Sequence, residues 1–196
     1  MCFVFLQTER FTIRQWKLDD VYALCKIMSD SRVHHFTGDT PWTLGRTNEY
    51  IDFMLDQNFR SLEAFHGACV LKDGQVLIGF TGLNPYLPKQ PEIEWQFGVP
   101  FWGNGYATEI GKAVVSSAFA TTNIEAIYGI AHPRNKASMR VMEKIGMTCL
   151  GTSPFRGERG MFYKIDRSSL PLWGVGIEQL TTPSVASLYA SGDRRH

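Results

Sequence analysis

The chain has 196 residues, 44% of them hydrophobic and 13% aromatic, with a formal net charge of +1. That length suits one domain with a substantial core, and the balanced charge excludes a bulk field that would recruit nucleic acid or an anionic membrane. No apolar run approaches the roughly 18 residues of a membrane span, and the opening MCFVFLQTER lacks the basic start and cleavage site of a signal peptide. Cys2, Cys25, Cys69 and Cys149 lie far apart with no CxxC pair, so free thiols, no metal and a cytoplasmic location are expected.

Residues 3–7 and 10–16 read as strands, rich in β-formers such as Phe11, Ile13 and Trp16. Asp19 is placed to cap a first helix, in which Val21, Leu24, Cys25 and Met28 recur at helical spacing. SRVHHFTGDTPW, 31–42, is loop, and Thr43 caps a second helix with the stripe Tyr50, Ile51, Met54 and Leu55. Strands 67–72 and 75–83 flank Asp73-Gly74, a hairpin signal. EIEWQFGV, 92–99, alternates, with Ile93, Trp95 and Phe97 on one face and Glu92, Glu94 and Gln96 on the other. Residues 106–120 form a helix through Ile110, Ala113, Val114 and Ser117, and AIYGIA, 126–131, is a short apolar strand. Asn135 caps a helix with an inner face of Met139, Met142 and Ile145 and a C′ glycine at Gly146. CLGTS and MFYKI close the sheet. Past Asp166 the periodicity fades, which sets a domain at 1–167 and a tail at 168–196, with room for one docked segment.

FWGNGYATE, 101–109, stands apart from core patterning. Strand, glycine-rich turn and helix follow one another here, an order that aims unpaired backbone N–H groups and the positive end of a helix dipole at one point. Phosphate is the natural guest of such a turn. The chain has no GxxxxGK[ST] run, and the third glycine of GxGxxG is replaced by Thr108, although Glu125 lies 20 residues beyond Gly105. The alternative is a tight turn and nothing more.

A second segment, HPRNKASMRVMEKIGM at 132–147, narrows the choice. Together with TERFTIRQW and WGNGYATE it resembles the Gcn5-related N-acetyltransferases (GNAT), and within them the branch of the ribosomal-protein N-terminal acetyltransferases. The resemblance spans roughly residues 7–165 and rests on three short motifs in the right order. It implies an α/β fold with a mixed, mostly antiparallel sheet of about seven strands and flanking helices, splayed between strands 92–99 and 126–131. It also implies acetyl-CoA as cofactor, with its pantetheine arm on backbone at Phe97 and Val99. The pyrophosphate would sit on the amides of Trp102, Gly103, Asn104, Gly105, Tyr106 and Ala107. Asn135 falls on the pantetheine arm and Ser138 near the thioester sulfur.

The implied reaction is direct acetyl transfer to an amine, which must first be neutral. At pH 7 that costs roughly 4.6 kcal/mol for a lysine amine and about 1.4 for an α-amine. Glu92 or Glu94 can draw that proton, directly or through water. The resemblance favours Glu92, whereas Glu94 stands where a glycine is common and is a candidate to line the acceptor pocket. Met142 occupies a position where many relatives carry a tyrosine acid, which leaves Ser138 as the nearest proton donor for the thiolate. The Val99 backbone N–H is the candidate oxyanion donor. His34, His35, Phe36, Trp42 and Tyr50 are candidates for the acceptor wall, with surface and packing roles as the alternatives. Phe101 and Trp102 are expected to cover the base of the turn, and Glu109 to favour the helix dipole. The late aspartate-bearing segment of the branch is missing from FRGERGMFYKI, so the acceptor is left open between a protein N-terminus, an amino acid, another small amine and an antibiotic. A non-catalytic acyl-CoA-binding module and a nucleotide-dependent enzyme are the competing classes. A monomer or homodimer, with no nucleic-acid or membrane partner, completes the expectation.

Overall fold

The computed structural model describes residues 3–57, 59, 61–87, 90–155 and 158–171, so most of the expected tail lies outside the described residues. A short hairpin, β1 (Val4–Gln7) and β2 (Phe11–Arg14), opens the chain, and two helices follow, α1 (Val21–Met28) and α2 (Leu44–Asp56). Three strands come next: β3 (Phe65–Leu71), β4 (Val76–Leu87) and β5 (Gln90–Phe97). Helix α3 (Tyr106–Thr121), β6 (Ala126–Ala131), α4 (Lys136–Lys144), β7 (Thr148–Phe155) and β8 (Glu158–Asp166) complete the domain. The eight strands form one sheet in the order β1-β2-β3-β4-β5-β6-β8-β7, one strand more than the expected seven.

All neighbouring strands are antiparallel except β5 and β6. A parallel pair needs a crossover, and α3 supplies it. The β5–β6 pairing is confined to one register position, Glu92 opposite Tyr128. Beyond it the sheet opens, as the splayed arrangement requires.

Each face of the sheet carries its own core. Ile93 and Phe97 of β5 pack with Ile110, Val114, Met139, Met142 and Ile145 of α3 and α4. On the opposite face Trp16, Ala68, Val70 and Phe80 meet Leu24 and Met28 of α1 and Ile51 of α2. The period-2 alternation of β5 therefore turns Glu92, Glu94 and Gln96 toward the α1–α2 side, where Gln96 Nε2 donates to the Val33 carbonyl at 3.2 Å.

The helix ends follow from local chemistry. Thr43 caps α2 by accepting from Arg46 N–H at 3.2 Å. Gly146 (φ 80°) closes α4, with Met147 N–H on the Met142 carbonyl and Gly146 N–H on the Glu143 carbonyl, a Schellman arrangement. The cap expected at Asp19 is displaced by one residue. Asp20 holds the N-cap position of α1, and its carboxylate takes Arg14 in a two-point pair (2.7 Å each) and Lys17 N–H, not a helix amide. At the domain's end Arg167 closes α3 from outside, donating to the Phe119, Thr122 and Ile124 carbonyls. No helix among the described residues is long and apolar enough to cross a membrane.

Candidate active site

The turn between β5 and α3 is built from left-handed glycines, Gly103 at φ 77° and Gly105 at φ 74°. No heavy atom lies within 4 Å of where a Cβ would stand at either position. Backbone conformation, not crowding, is what selects glycine there. The N–H groups of Gly103, Asn104, Gly105, Tyr106 and Ala107 have no partner among the described residues. Trp102 N–H does have one, the Val99 carbonyl at 3.2 Å, and Thr108 and Glu109 N–H both return to the Gly105 carbonyl. The expected amide cluster is thus one residue shorter, 103–107, and it sits at the positive end of a 16-residue helix.

Glu109 is a tether. It accepts from Thr8 Oγ1 (2.6 Å), Arg10 N–H (3.1 Å) and Arg10 Nε (2.6 Å), pinning the first turn of α3 to the β1–β2 hairpin. The Arg10 guanidinium also lies 4.7 Å from the Tyr106 ring centroid.

Two cavities flank the opening between β5 and β6. The first, about 790 Å³, is lined by Trp102, Gly103, Gly105, Tyr106 and Ala107 from the turn and by Arg140 and Lys144 from α4. Val99 and Asn104 do not line it. Val99 packs against the α1–α2 core, although its N–H has no partner among the described residues. Phe97 does line this cavity, and its carbonyl already accepts the Trp102 indole N–H at 2.7 Å. Arg140 and Lys144 form no ion pair among the described residues, so this end of the cleft combines bare amides with uncompensated cations. That donor set fits a polyanion with a phosphate at the turn.

The second cavity, about 730 Å³, is lined by Glu92, Glu94, Met142, Arg134 and Arg159, among others. His35, Phe36, Trp95, Gln96, Asn135 and Ser138 belong to both walls, which makes the two cavities the ends of one cleft. Asn135 caps α4 through its side-chain oxygen, which accepts Ser138 N–H at 3.1 Å, and its amide nitrogen and the Ser138 hydroxyl have no partner among the described residues. Met142, buried to 1% exposure, places a thioether in this wall.

The histidine pair divides. His34 is buried, with Nε2 2.7 Å from the Met28 carbonyl, and serves the fold; His35 lines the cleft. Trp42 is likewise structural, donating to Asp39 at 2.9 Å, while Phe36 stacks on His132 with centroids 5.5 Å apart at the cleft wall. Burial works to raise the Asp39 carboxyl, but hydrogen bonds from Arg46, Trp42 and Thr40 N–H, with the Arg46 charge, bring it down to about 2.

One constellation escapes a linear reading. His66 of β3, 5% exposed, has Nε2 2.6 Å from Glu94 Oε1, and its Nδ1 lies 2.6 Å from the Tyr50 hydroxyl of α2. Burial, and then the Glu94 charge, raise the Tyr50 phenol well above its ordinary value, so it remains a proton donor. The sequence signal was a lone histidine inside the apolar strand FHGACVL; its partners lie on two other elements.

A sequence profile for the acetyltransferase (GNAT) domain matches residues 10–148. The uncharacterized N-acetyltransferase p20 of Bacillus licheniformis is 27% identical over 143 residues, covering 71% of this chain and 80% of its own. A GNAT-family acetyltransferase structure from Bacillus anthracis superposes with a TM-score of 0.74 at 26% identity, over 84% of this chain and 99% of that one. Two structures share the fold at lower identity. One, from Vibrio cholerae and provisionally assigned as a ribosomal-protein-serine acetyltransferase, has 17% identity and a TM-score of 0.70, covering 82% and 96% of the two chains. The other, the aminoglycoside acetyltransferase AAC(6')-Ib in complex with coenzyme A, has 19% identity and a TM-score of 0.69, covering 81% and 96%. With the profile spanning most of its length, the parted strands and the glycine turn, this chain belongs to the GNAT acetyltransferase family.

Proposed function

We propose that the protein is an acetyl-CoA-dependent N-acetyltransferase that moves the acetyl group directly to a primary amine. The carrying observation is the run of unpartnered amides at 103–107 beside the single-register opening of β5 from β6. Residues 1–167 form the transferase domain in this reading. Acetyl-CoA supplies the activated acyl group as a thioester. The amides of Gly103 to Ala107 hold its diphosphate, Arg140 and Lys144 add charge, and Asn135 and the backbone at Phe97 orient the pantetheine arm. Ser138, on the cleft wall beside Met142, would be the hydroxyl through which a proton could reach the leaving thiolate. A carboxylate on the Glu92–Glu94 face takes the proton that the acceptor must lose. No cysteine or histidine side chain is needed as a covalent carrier. The acceptor is a protein N-terminus or a small-molecule amine.

Thiol release from acetyl-CoA with a seryl tripeptide amide, lysine, spermine and an aminoglycoside tests this reading. Release with one amine and not with buffer alone is the expected result. Tight CoA binding with no release across the panel converts the protein to a binding module. Calorimetry in which NAD or ATP binds in preference to CoA removes the family chemistry altogether.

A further inference from the structure

We propose that Glu94 is the group that takes the acceptor's proton, and that His66 and Tyr50 are positioning residues that hold its carboxylate for that step. The proposal rests on the transferase reading above.

An ionised carboxylate can only accept, so the 2.6 Å contact between His66 Nε2 and Glu94 Oε1 places a hydrogen on Nε2. In the tautomer with its hydrogen on Nε2 the ring offers Nδ1 as an acceptor, and the Tyr50 hydroxyl, 2.6 Å from Nδ1 and 3.2 Å from Nε2, is the donor that meets it. Tyr50 thereby fixes the tautomer, and the tautomer fixes the carboxylate. The imidazole cannot swing away. Its centroid lies 4.4 Å from the Phe80 ring, and Trp16 stacks on it at 6.4 Å. The Glu94 backbone is held as well, its carbonyl accepting Thr81 Oγ1 at 2.7 Å. A third of the Glu94 side chain stays exposed on the cleft. Glu92 stands where β5 and β6 still pair, one step below the opening. In the step itself an ammonium N–H bond would break and its proton pass to a Glu94 carboxylate oxygen; the freed nitrogen lone pair would form the C–N bond at the thioester carbonyl, the C–S bond would break with its electrons leaving on sulfur, and the second proton shed by the acylated nitrogen would end on that thiolate. His66 from β3 and Tyr50 from α2 act on Glu94 directly, and the charged or titratable side chains that line the same cavity are His35, Asp39, Arg46, Glu92, His132, Arg134 and Arg159.

The experiment measures kcat and KM with acetyl-CoA and the amine panel at about pH 7 and about pH 9.5. Glu94→Gln is expected to lower kcat about 100-fold at the lower pH. His66→Gln lowers it about tenfold and Tyr50→Phe about threefold, the scale of one hydrogen bond to a charged group. KM for acetyl-CoA stays unchanged in all three. The losses shrink at the higher pH for an α-amine acceptor, which has by then shed its own proton, whereas a purely structural defect costs the same at both. Wild-type kcat in His66→Gln and Tyr50→Phe, or losses equal at both pH values, overturn the proposal. If His66→Gln does not fold, Tyr50→Phe decides, since it removes a single oxygen. A wild-type protein that binds acetyl-CoA and turns over no panel amine overturns the transferase reading instead, and this proposal with it.

Discussion

The glycine turn presents backbone to the cleft, whereas the acceptor end presents side chains. At the turn, five consecutive residues leave their amides bare, and the only demand on side chains is that two positions tolerate φ near +75°. At the other end Tyr50, His66 and Glu94 arrive from α2, β3 and β5 and meet at 2.6 Å. A backbone site is written in one short segment and depends on conformation. A side-chain constellation depends on the whole sheet and on the helix packed over it. The first suits a ligand part shared by every acyl-CoA, and the second suits an acceptor that differs from enzyme to enzyme.

The sharpest way to break this contrast is at the turn. Gly105→Glu puts a side chain in a left-handed position and a negative charge against the proposed diphosphate. CoA affinity measured by calorimetry should fall more than about 100-fold, or roughly 3 kcal/mol, with the circular dichroism of the fold retained. Unchanged affinity in the folded variant would move the phosphate site elsewhere. Next in size is the carboxylate pair. At neutral pH Glu92→Gln should stay within about threefold of wild type while Glu94→Gln falls about 100-fold. The reverse order would return the proton transfer to Glu92 and leave His66 a core residue.

Smaller effects sharpen the comparison. Arg140→Ala and Lys144→Ala should each weaken CoA binding about three- to fivefold at low salt, with the difference fading as ionic strength rises. A salt-independent loss would point to packing instead of charge. At the acceptor end, Asp39 gives a pH signature. Its carboxyl is lowered to about 2 in the folded chain, so its stabilisation is complete above the ordinary carboxylate value and lost as pH falls through about 2. Unfolding free energies of wild type and Asp39→Asn from denaturant titration should therefore differ by about 1 kcal/mol at neutral pH, after allowing for solvent screening of a partly exposed pair, and converge between about pH 4 and pH 2. A constant gap would mean that the asparagine lost packing, not charge.

Much of the fold was legible because its signals are periodic and local. β5 alternates, α4 carries Asn135 at one end and Gly146 at the other, and Asp73-Gly74 marks the β3–β4 link, where Gly74 and Gln75 both have positive φ. The misplaced Asp19 cap shows the limit. Asp20 was drawn to Arg14, and a salt bridge across a strand end leaves no trace in spacing. The left-handed glycine turn and the Asn135 cap on Ser138 N–H were legible as local structure because each is contiguous. The internal partner of Trp102 N–H is not visible in the sequence, because it comes from a single 3₁₀ turn, Val99–Phe101, that ends on the Val99 carbonyl. His66 and Tyr50 could not be joined on paper. They lie 16 residues apart on different elements, and the packing of α2 over β3 makes them partners.

The Glu109 tether has a consequence for the order of assembly. Its hydrogen bond to Thr8 closes a span of 101 residues, so the hairpin leaves the ribosome long before the helix that completes it. Until α3 arrives, Thr8 and Arg10 lack this carboxylate, and the turn after Phe101 lacks the strut that holds its helix against the sheet's first edge. Trimming the amino terminus through Arg10 would thus be felt at residues 103–107, far along the chain, as a looser grip on whatever those amides hold.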